Sequence, residues 1–212
     1  MESSVMWIDY GSIAVDQAPH SWNITREMWL AMPYNDTLIE DHFLPLMLVI
    51  VQHTVSAECN DFAQCAAELR TMQGSFIAHK HYNIPYNFMI GNEGRVYEAR
   101  GWNKEGAHTL GYNRCSMGIG FIGDYREEKP HHSRVTELQL NRTKMLLDDG
   151  VRRGFLRPDF RIIGAKDVQL TASPGSNLYN AIRQMENFDH QGRFRNLTCA
   201  EIQDKYGNVT FD

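Results

Sequence analysis

The stretch LPLMLVIVQHT, Leu44 to Thr54, limits what this chain can become more than any other. Leu44 to Val51 carries no charge and is rich in branched side chains, and polar residues follow at once. Such a run reads as a strand covered on both faces, ending in a polar tip. It is too short to cross a membrane, which takes about 18 or more apolar residues. A strand buried on both faces needs helices above and below its sheet, so the segment points to an α/β layered architecture with a central sheet flanked by helices.

The other segments agree. In CNDFAQCAAELRTMQ, Phe62, Cys65, Ala66, Leu69 and Met72 recur at three- and four-residue intervals, the period of an amphipathic helix. IPYNFMI and RVYEARGW are strand-like runs joined by GNEG, which suits a hairpin. SMGIGFIGDY is a further strand whose glycines leave room for a close approach to the backbone. TELQLNRTKMLLDDGV predicts a helix closed by Gly150, and DFRIIGAKDV a strand. SPGSNLYNAIRQMENF predicts a last helix, with Ser173 as N-cap and Pro174 at its first position. Residues 1 to about 20 show no period.

With 42% hydrophobic and 22% charged residues, the chain of 212 residues has enough apolar surface for one core. A net charge of −5 argues against nonspecific nucleic-acid binding. MESSVMWIDYGS has neither the basic start nor the apolar stretch of a signal peptide. Yet Asn-X-Thr sequons occur at Asn23, Asn35, Asn141, Asn196 and Asn208, more than chance supplies. Together these suggest the exported part of a longer chain with an upstream membrane anchor. Cys59 and Cys65 are close enough to close a small disulfide loop in such a setting. For Cys115 and Cys199 three states stay open: free, paired with each other, or bonded to another chain.

Polar residues gather at strand ends and in the loops after them: Gln52, His53, Tyr86, His108, Thr109, Asn113, Arg114, Lys166 and Ser173. This is where α/β proteins place their sites. The loop GAKDVQLTASPG has the outline of a metal-binding turn, but Lys166 and Ser173 stand where ligands would be expected. His79, His81, His131 and His132 could suggest a metal, although His-X-His and His-His in loops are more often solvated surface.

VIVQHT, YNFMIG, GRVYEARGW, GAHTLGYN, GIGFIGDY and LTASPG run in the order, and near the spacing, of the peptidoglycan recognition proteins. The resemblance covers about residues 24 to 190 and is nearest to the insect membrane-bound LC-type receptors. It divides the chain into a juxtamembrane extension 1–23, a recognition domain 24–190 and a C-terminal extension 191–212. It implies the N-acetylmuramoyl-L-alanine amidase-like fold with a mixed sheet, and CNDFAQC matches the family's short disulfide loop. In catalytic members the resemblance implies zinc held by His, His and Cys. Carried over, these fall on Gln52, Lys166 and Ser173, with only the tyrosine, Tyr86, and Thr171 retained. Zinc binds imidazole, thiolate or carboxylate, and a Lys charge would repel it. The implied protein is therefore not an enzyme and needs no cofactor. Lys166 could instead pair with a nearby carboxylate.

What the resemblance then implies is recognition of muramyl peptide by His53, Tyr86, His108, Thr109 and Asn113. Gly101 and Trp102 match members that bind diaminopimelate-type peptides. Arg114 is placed to grip the extra carboxylate of that ligand through two parallel hydrogen bonds. Two departures bear on this. Phe76 replaces a groove histidine, with a reshaped loop after it. The stretch REEKPHHSRVTELQ, Arg126 to Gln139, carries about five residues more than the family's usual path into the next helix. Two recognition readings follow: a receptor ectodomain that binds the peptide and signals by dimerisation, or a groove-blocked partner of a ligand-loaded sister domain. A structural adhesion domain without a bacterial ligand is the third alternative.

Overall fold

The computed structural model describes residues 21–207; the N-terminal lead-in and the Asn208 sequon lie outside them. Its strands are β1 (Asn23–Ile24), β2 (Leu46–His53), β3 (Phe88–Ile90), β4 (Val96–Glu98), β5 (Ser116–Phe121) and β6 (Leu156–Gly164). Its helices are α1 (Phe62–Lys80), α2 (Glu137–Arg152), α3 (Ser176–Ile182) and α4 (Cys199–Tyr206). The strands form one six-stranded sheet in the order β1-β4-β3-β5-β2-β6. Only the β3–β4 hairpin is antiparallel, so the sheet is mixed. Strand β2 lies between β5 and β6, and every residue from Leu46 to His53 is buried. The uncharged run is an interior strand because both its faces are covered.

Two apolar clusters form the core. On one face, Cys65, Ala66 and Leu69 of α1 pack with Met89 and Tyr97. On the other, Leu146 and Leu147 of α2 pack with Phe88, Ile90, Val96 and Trp102. Thr136 and Gln139 cap α2 reciprocally, and Asp61 caps α1 by accepting the Gln64 N–H at 2.8 Å.

Several expected boundaries move. The chain after Gly74 is not a reshaped loop, because α1 continues to Lys80 and stops at His81, whose φ of 63° breaks it. Gly150 does not close α2. It is buried within the helix because a Cβ there would lie 2.5 Å from the Trp102 ring. Ser173 is not the cap of α3; Gly175 precedes that helix, with φ 85°, and a Cβ there would strike the Tyr125 backbone. The expected boundary at residue 190 does not divide the fold. Phe194, Cys199 and Ile202 belong to the main core, and a Cys115–Cys199 disulfide ties α4 to the start of β5. The Cys59–Cys65 bridge forms as expected.

Candidate functional site

In-register neighbours on parallel strands share a sheet face. Gln52 pairs with Gly120, and Gly120 with Met89, so Gln52 lies on the face that α1 covers at its Met89 end. Beyond α1 that face is covered by two rings instead. Tyr86 lies on Gly120 and His108 on Gly118, where added Cβ atoms would come within 2.7 and 2.3 Å of the rings. The glycines of SMGIGF do admit a close approach, and what approaches is the protein's own cleft floor.

Gln52 ties this floor together. Its Nε2 donates to the His108 carbonyl at 2.7 Å and to Thr109 Oγ1 at 2.8 Å. A carbonyl oxygen can only accept, which fixes the nitrogen's orientation. Thr109 Oγ1 is then free to donate to His108 Nδ1 at 3.0 Å, which leaves the ring proton on Nε2. Among the described residues that buried Nε2 makes no well-formed hydrogen bond, and the Ser116 carbonyl only partly favours the protonated ring. Burial, with the Arg100 cation adding to it, pushes the His108 pKa down to about 3. His53 Nδ1 accepts the Tyr125 N–H at 3.1 Å, so its proton also sits on Nε2. Burial lowers the His53 pKa, partly opposed by Asp124 at 3.7 Å. The Tyr86 phenol is held protonated by burial and makes a long 3.5 Å contact to the His53 carbonyl.

The three positions expected to replace zinc ligands do not all meet. Ser173 does reach β2, where its Oγ accepts the His53 N–H at 3.1 Å. Lys166 does not. Val51 pairs with Gly164, so one residue beyond that pair stand Gln52 and Ala165. Ala165 is fully buried, whereas Lys166 is exposed with its Nζ 4.4 Å from the centre of the Tyr179 ring. The expected repulsion between Lys166 and a metal therefore does not arise, and Lys166 meets an aromatic face rather than the imagined carboxylate. Zinc does not fit the residues present. Gln52 turns its N–H groups inward, Ala165 has no ligand atom, and the Ser173 oxygen already accepts a hydrogen bond.

A cavity of about 280 Å³ opens beside the floor, lined by Thr54, Ser56, Met72, Ser75, Phe76 and Tyr86 among others. Of the expected ligand residues only Tyr86 lines it. His53, His108 and Thr109 are buried in the floor, and Asn113 Oδ1 closes its own turn by accepting the Thr109 N–H at 2.8 Å. Arg114 is exposed, its guanidinium 5.5 Å from the centre of the Phe43 ring. Trp102 is not a cleft residue. It packs on Phe88 and Phe155 against Gly150 of α2, on the opposite face of the sheet. Gly101, with φ 83°, is held by Asn87, whose Nδ2 donates to its carbonyl at 2.8 Å.

The segment from Glu127 to Val135 does not line the cavity. It is pinned to α3 instead: Glu127 N–H to Ser176 Oγ at 3.1 Å and Val135 N–H to Asn177 Oδ1 at 2.9 Å. His79 and His132 each bond a backbone carbonyl of their own segment. Among the described residues the grouped metal-ligating side chains are Cys59, Cys65 and Glu93, and those cysteines form a disulfide.

Sequence reasoning missed Arg100, which braces the cleft by donating to the carbonyls of Ile84, Asn83 and Glu105. It also missed Asn87, whose Oδ1 accepts the Gly118 N–H at 2.8 Å. Both lie inside strand-like runs, where only tertiary contacts give them a role.

This sheet and cleft define an amidase-type domain, and residues 43–176 match the family model described as N-acetylmuramoyl-L-alanine amidase. Within that class the chain belongs to the peptidoglycan recognition protein family. It is 41% identical over 168 residues to a peptidoglycan recognition protein of Trichoplusia ni, covering 78% of this chain and 87% of that one. Its structure is similar to one in the complex of peptidoglycan recognition proteins LCa and LCx bound to tracheal cytotoxin, with TM-score 0.71 and 34% identity over 80% of this chain and 99% of that chain. It is also similar to recognition protein LE in complex with tracheal cytotoxin, a monomeric diaminopimelic acid-type peptidoglycan, with TM-score 0.72 and 36% identity over 81% and 98%.

Proposed function

We propose that this domain is a non-catalytic immune receptor ectodomain that binds diaminopimelate-type muramyl peptide and signals by pairing with a second such domain. The observation that carries the non-catalytic reading is the use of Gln52: both its donors brace the His108–Thr109 loop. A group engaged in this way holds the floor of a binding cleft and generates no nucleophile, since without a metal nothing lowers the pKa of an attacking water. The solved LCa–LCx and LE complexes support the ligand class and the pairing. The Cys59–Cys65 and Cys115–Cys199 bridges support an oxidising, extracellular compartment. Attachment to the plasma membrane is part of the proposal; among the described residues no helix is long and apolar enough to span one.

Direct binding is favoured over a blocked groove by the docking of residues 127–135 on α3, away from the cavity. Arg114 is exposed and pairs with no carboxylate among the described residues, so its guanidinium is open to a ligand carboxylate. The groove-blocked reading keeps one supporting observation: Phe76 lines the cavity, with the Tyr82 ring 5.5 Å from it. Calorimetric titration with monomeric diaminopimelate-type muramyl peptide separates the readings. Direct binding predicts a saturable heat, which Arg114→Ala weakens by about 1.5–3 kcal/mol while a lysine-type peptide is little affected. A flat titration that turns saturable only when a ligand-competent sister domain is added would favour the blocked reading.

A further inference from the structure

A second pocket, of about 490 Å³, lies between α3 and the loop that follows it and shares no lining residue with the cleft cavity. Arg183, Arg195 and His190 stand on it, with Tyr179 as one wall. Two carboxylates also line it, but both are engaged by their own scaffold. Asp167 accepts the Tyr179 hydroxyl at 2.6 Å on one oxygen and the Gly164 N–H at 2.9 Å on the other. Asp189 accepts the N–H groups of Gln191 and Arg193, and pairs with the Arg193 guanidinium at 3.6 Å.

These bonds occupy the carboxylate oxygens without removing their charge, while the arginines keep N–H groups to offer. Among the described residues Arg195 uses only its Nε, which donates to the Asp167 carbonyl at 3.1 Å. Arg183 lies 5.9 Å from the centre of the Tyr179 ring, and Lys166 lies over the same ring at 4.4 Å. The Tyr179 phenol adds no negative charge, because burial and its bond to Asp167 push its pKa up to about 12. Arg183 and Arg195 balance the charges of Asp167 and Asp189, and Lys166 over the Tyr179 ring and Arg193 beside Asp189 add two more cations, so in a chain of net charge −5 the neighbourhood is a local reversal of charge with free arginine N–H groups.

We infer that this pocket is a binding site for a phosphate-class anion. Two guanidiniums and an imidazole offer more N–H donors than the two oxygens of a carboxylate can accept, and planar guanidinium forks match phosphate oxygens. The inference goes beyond the cleft reading and does not rest on it.

Inorganic pyrophosphate, titrated into the disulfide-intact domain at low salt and followed by amide chemical shifts, is the test. Saturable shifts centred on Tyr179, Arg183 and residues 189–195 are expected, with affinity at least about tenfold weaker in Arg183→Gln and in Arg195→Gln. Muramyl-peptide binding in the cleft should be unchanged in both variants, which separates this site from the cleft. Phosphatidylglycerol vesicles and soluble poly(glycerol phosphate) share the phosphodiester and distinguish a membrane source from a soluble polymer. Absence of saturation at millimolar pyrophosphate, equal affinity in both variants, or retention of neither carrier would overturn the inference.

Discussion

The His108 ring makes the cleft floor sensitive to acid by an amount that can be worked out. It is 8% exposed and wedged between Gly106 and Gly118. Its pKa falls from 6.5 to about 3, first through burial and then through the Arg100 cation. A group whose folded pKa is depressed in this way stays neutral in the fold while the unfolded chain takes up a proton. Stability is therefore complete above about pH 6.5 and declines as pH falls towards 3. Between pH 8 and pH 5 this one site costs about 2 kcal/mol, from 1.5 pKa units at 1.36 kcal/mol each. Urea unfolding of the wild-type domain and His108→Gln at both pH values isolates the contribution, because His53 and the carboxylates titrate in both proteins. The wild type should lose about 2 kcal/mol more than the variant. Equal losses would mean that His108 is not held neutral by its slot, and the reasoning about the floor would fail with it.

Other consequences are equally open to measurement. Replacing Gln52→His, Ala165→His and Ser173→Cys together should create a zinc site detectable by elemental analysis, whereas the same set with Lys166→His in place of the change at 165 should not. Trp102→Ala should destabilise the domain by about 3–5 kcal/mol through lost core packing, and in the fraction that stays folded leave the preference between diaminopimelate and lysine peptides unchanged. Removing the Cys115–Cys199 bridge by Cys199→Ser and Cys115→Ser should cost about 4.5 kcal/mol in thermal or urea unfolding, because it closes a loop spanning 84 residues. Loss of the Cys59–Cys65 bridge, which spans 6, should cost about 2 kcal/mol.

Much of this was legible in the sequence, and the failures share a cause. The uncharged run at 44–51 identified β2, because no other placement satisfies eight consecutive apolar residues. The glycines at 118 and 120 announced a close approach without revealing that Tyr86 and His108 make it. What sequence reading could not resolve was which face a side chain takes. Motif matching put Trp102 in the cleft, yet pairing and the gap at Gly150 carry it to the opposite face. Matching by residue character put Lys166 at the metal position, yet strand register puts Ala165 there, one residue away. Likewise the chain after residue 190 looked like an extension because Phe194 and Ile202 are too sparse to mark a core on their own. Their burial depends on contacts with distant parts of the chain, including the Cys115–Cys199 bridge.

The central claim is that the cleft holds a cell-wall peptide without a metal and without cutting it. Calorimetry of the domain with monomeric diaminopimelate-type muramyl peptide, run with and without EDTA, tests this most directly when the peptide is recovered afterwards for mass analysis. The account predicts the same saturable heat in both conditions and peptide recovered intact. A heat abolished by EDTA, or recovery of the amide-cleaved peptide, would contradict it.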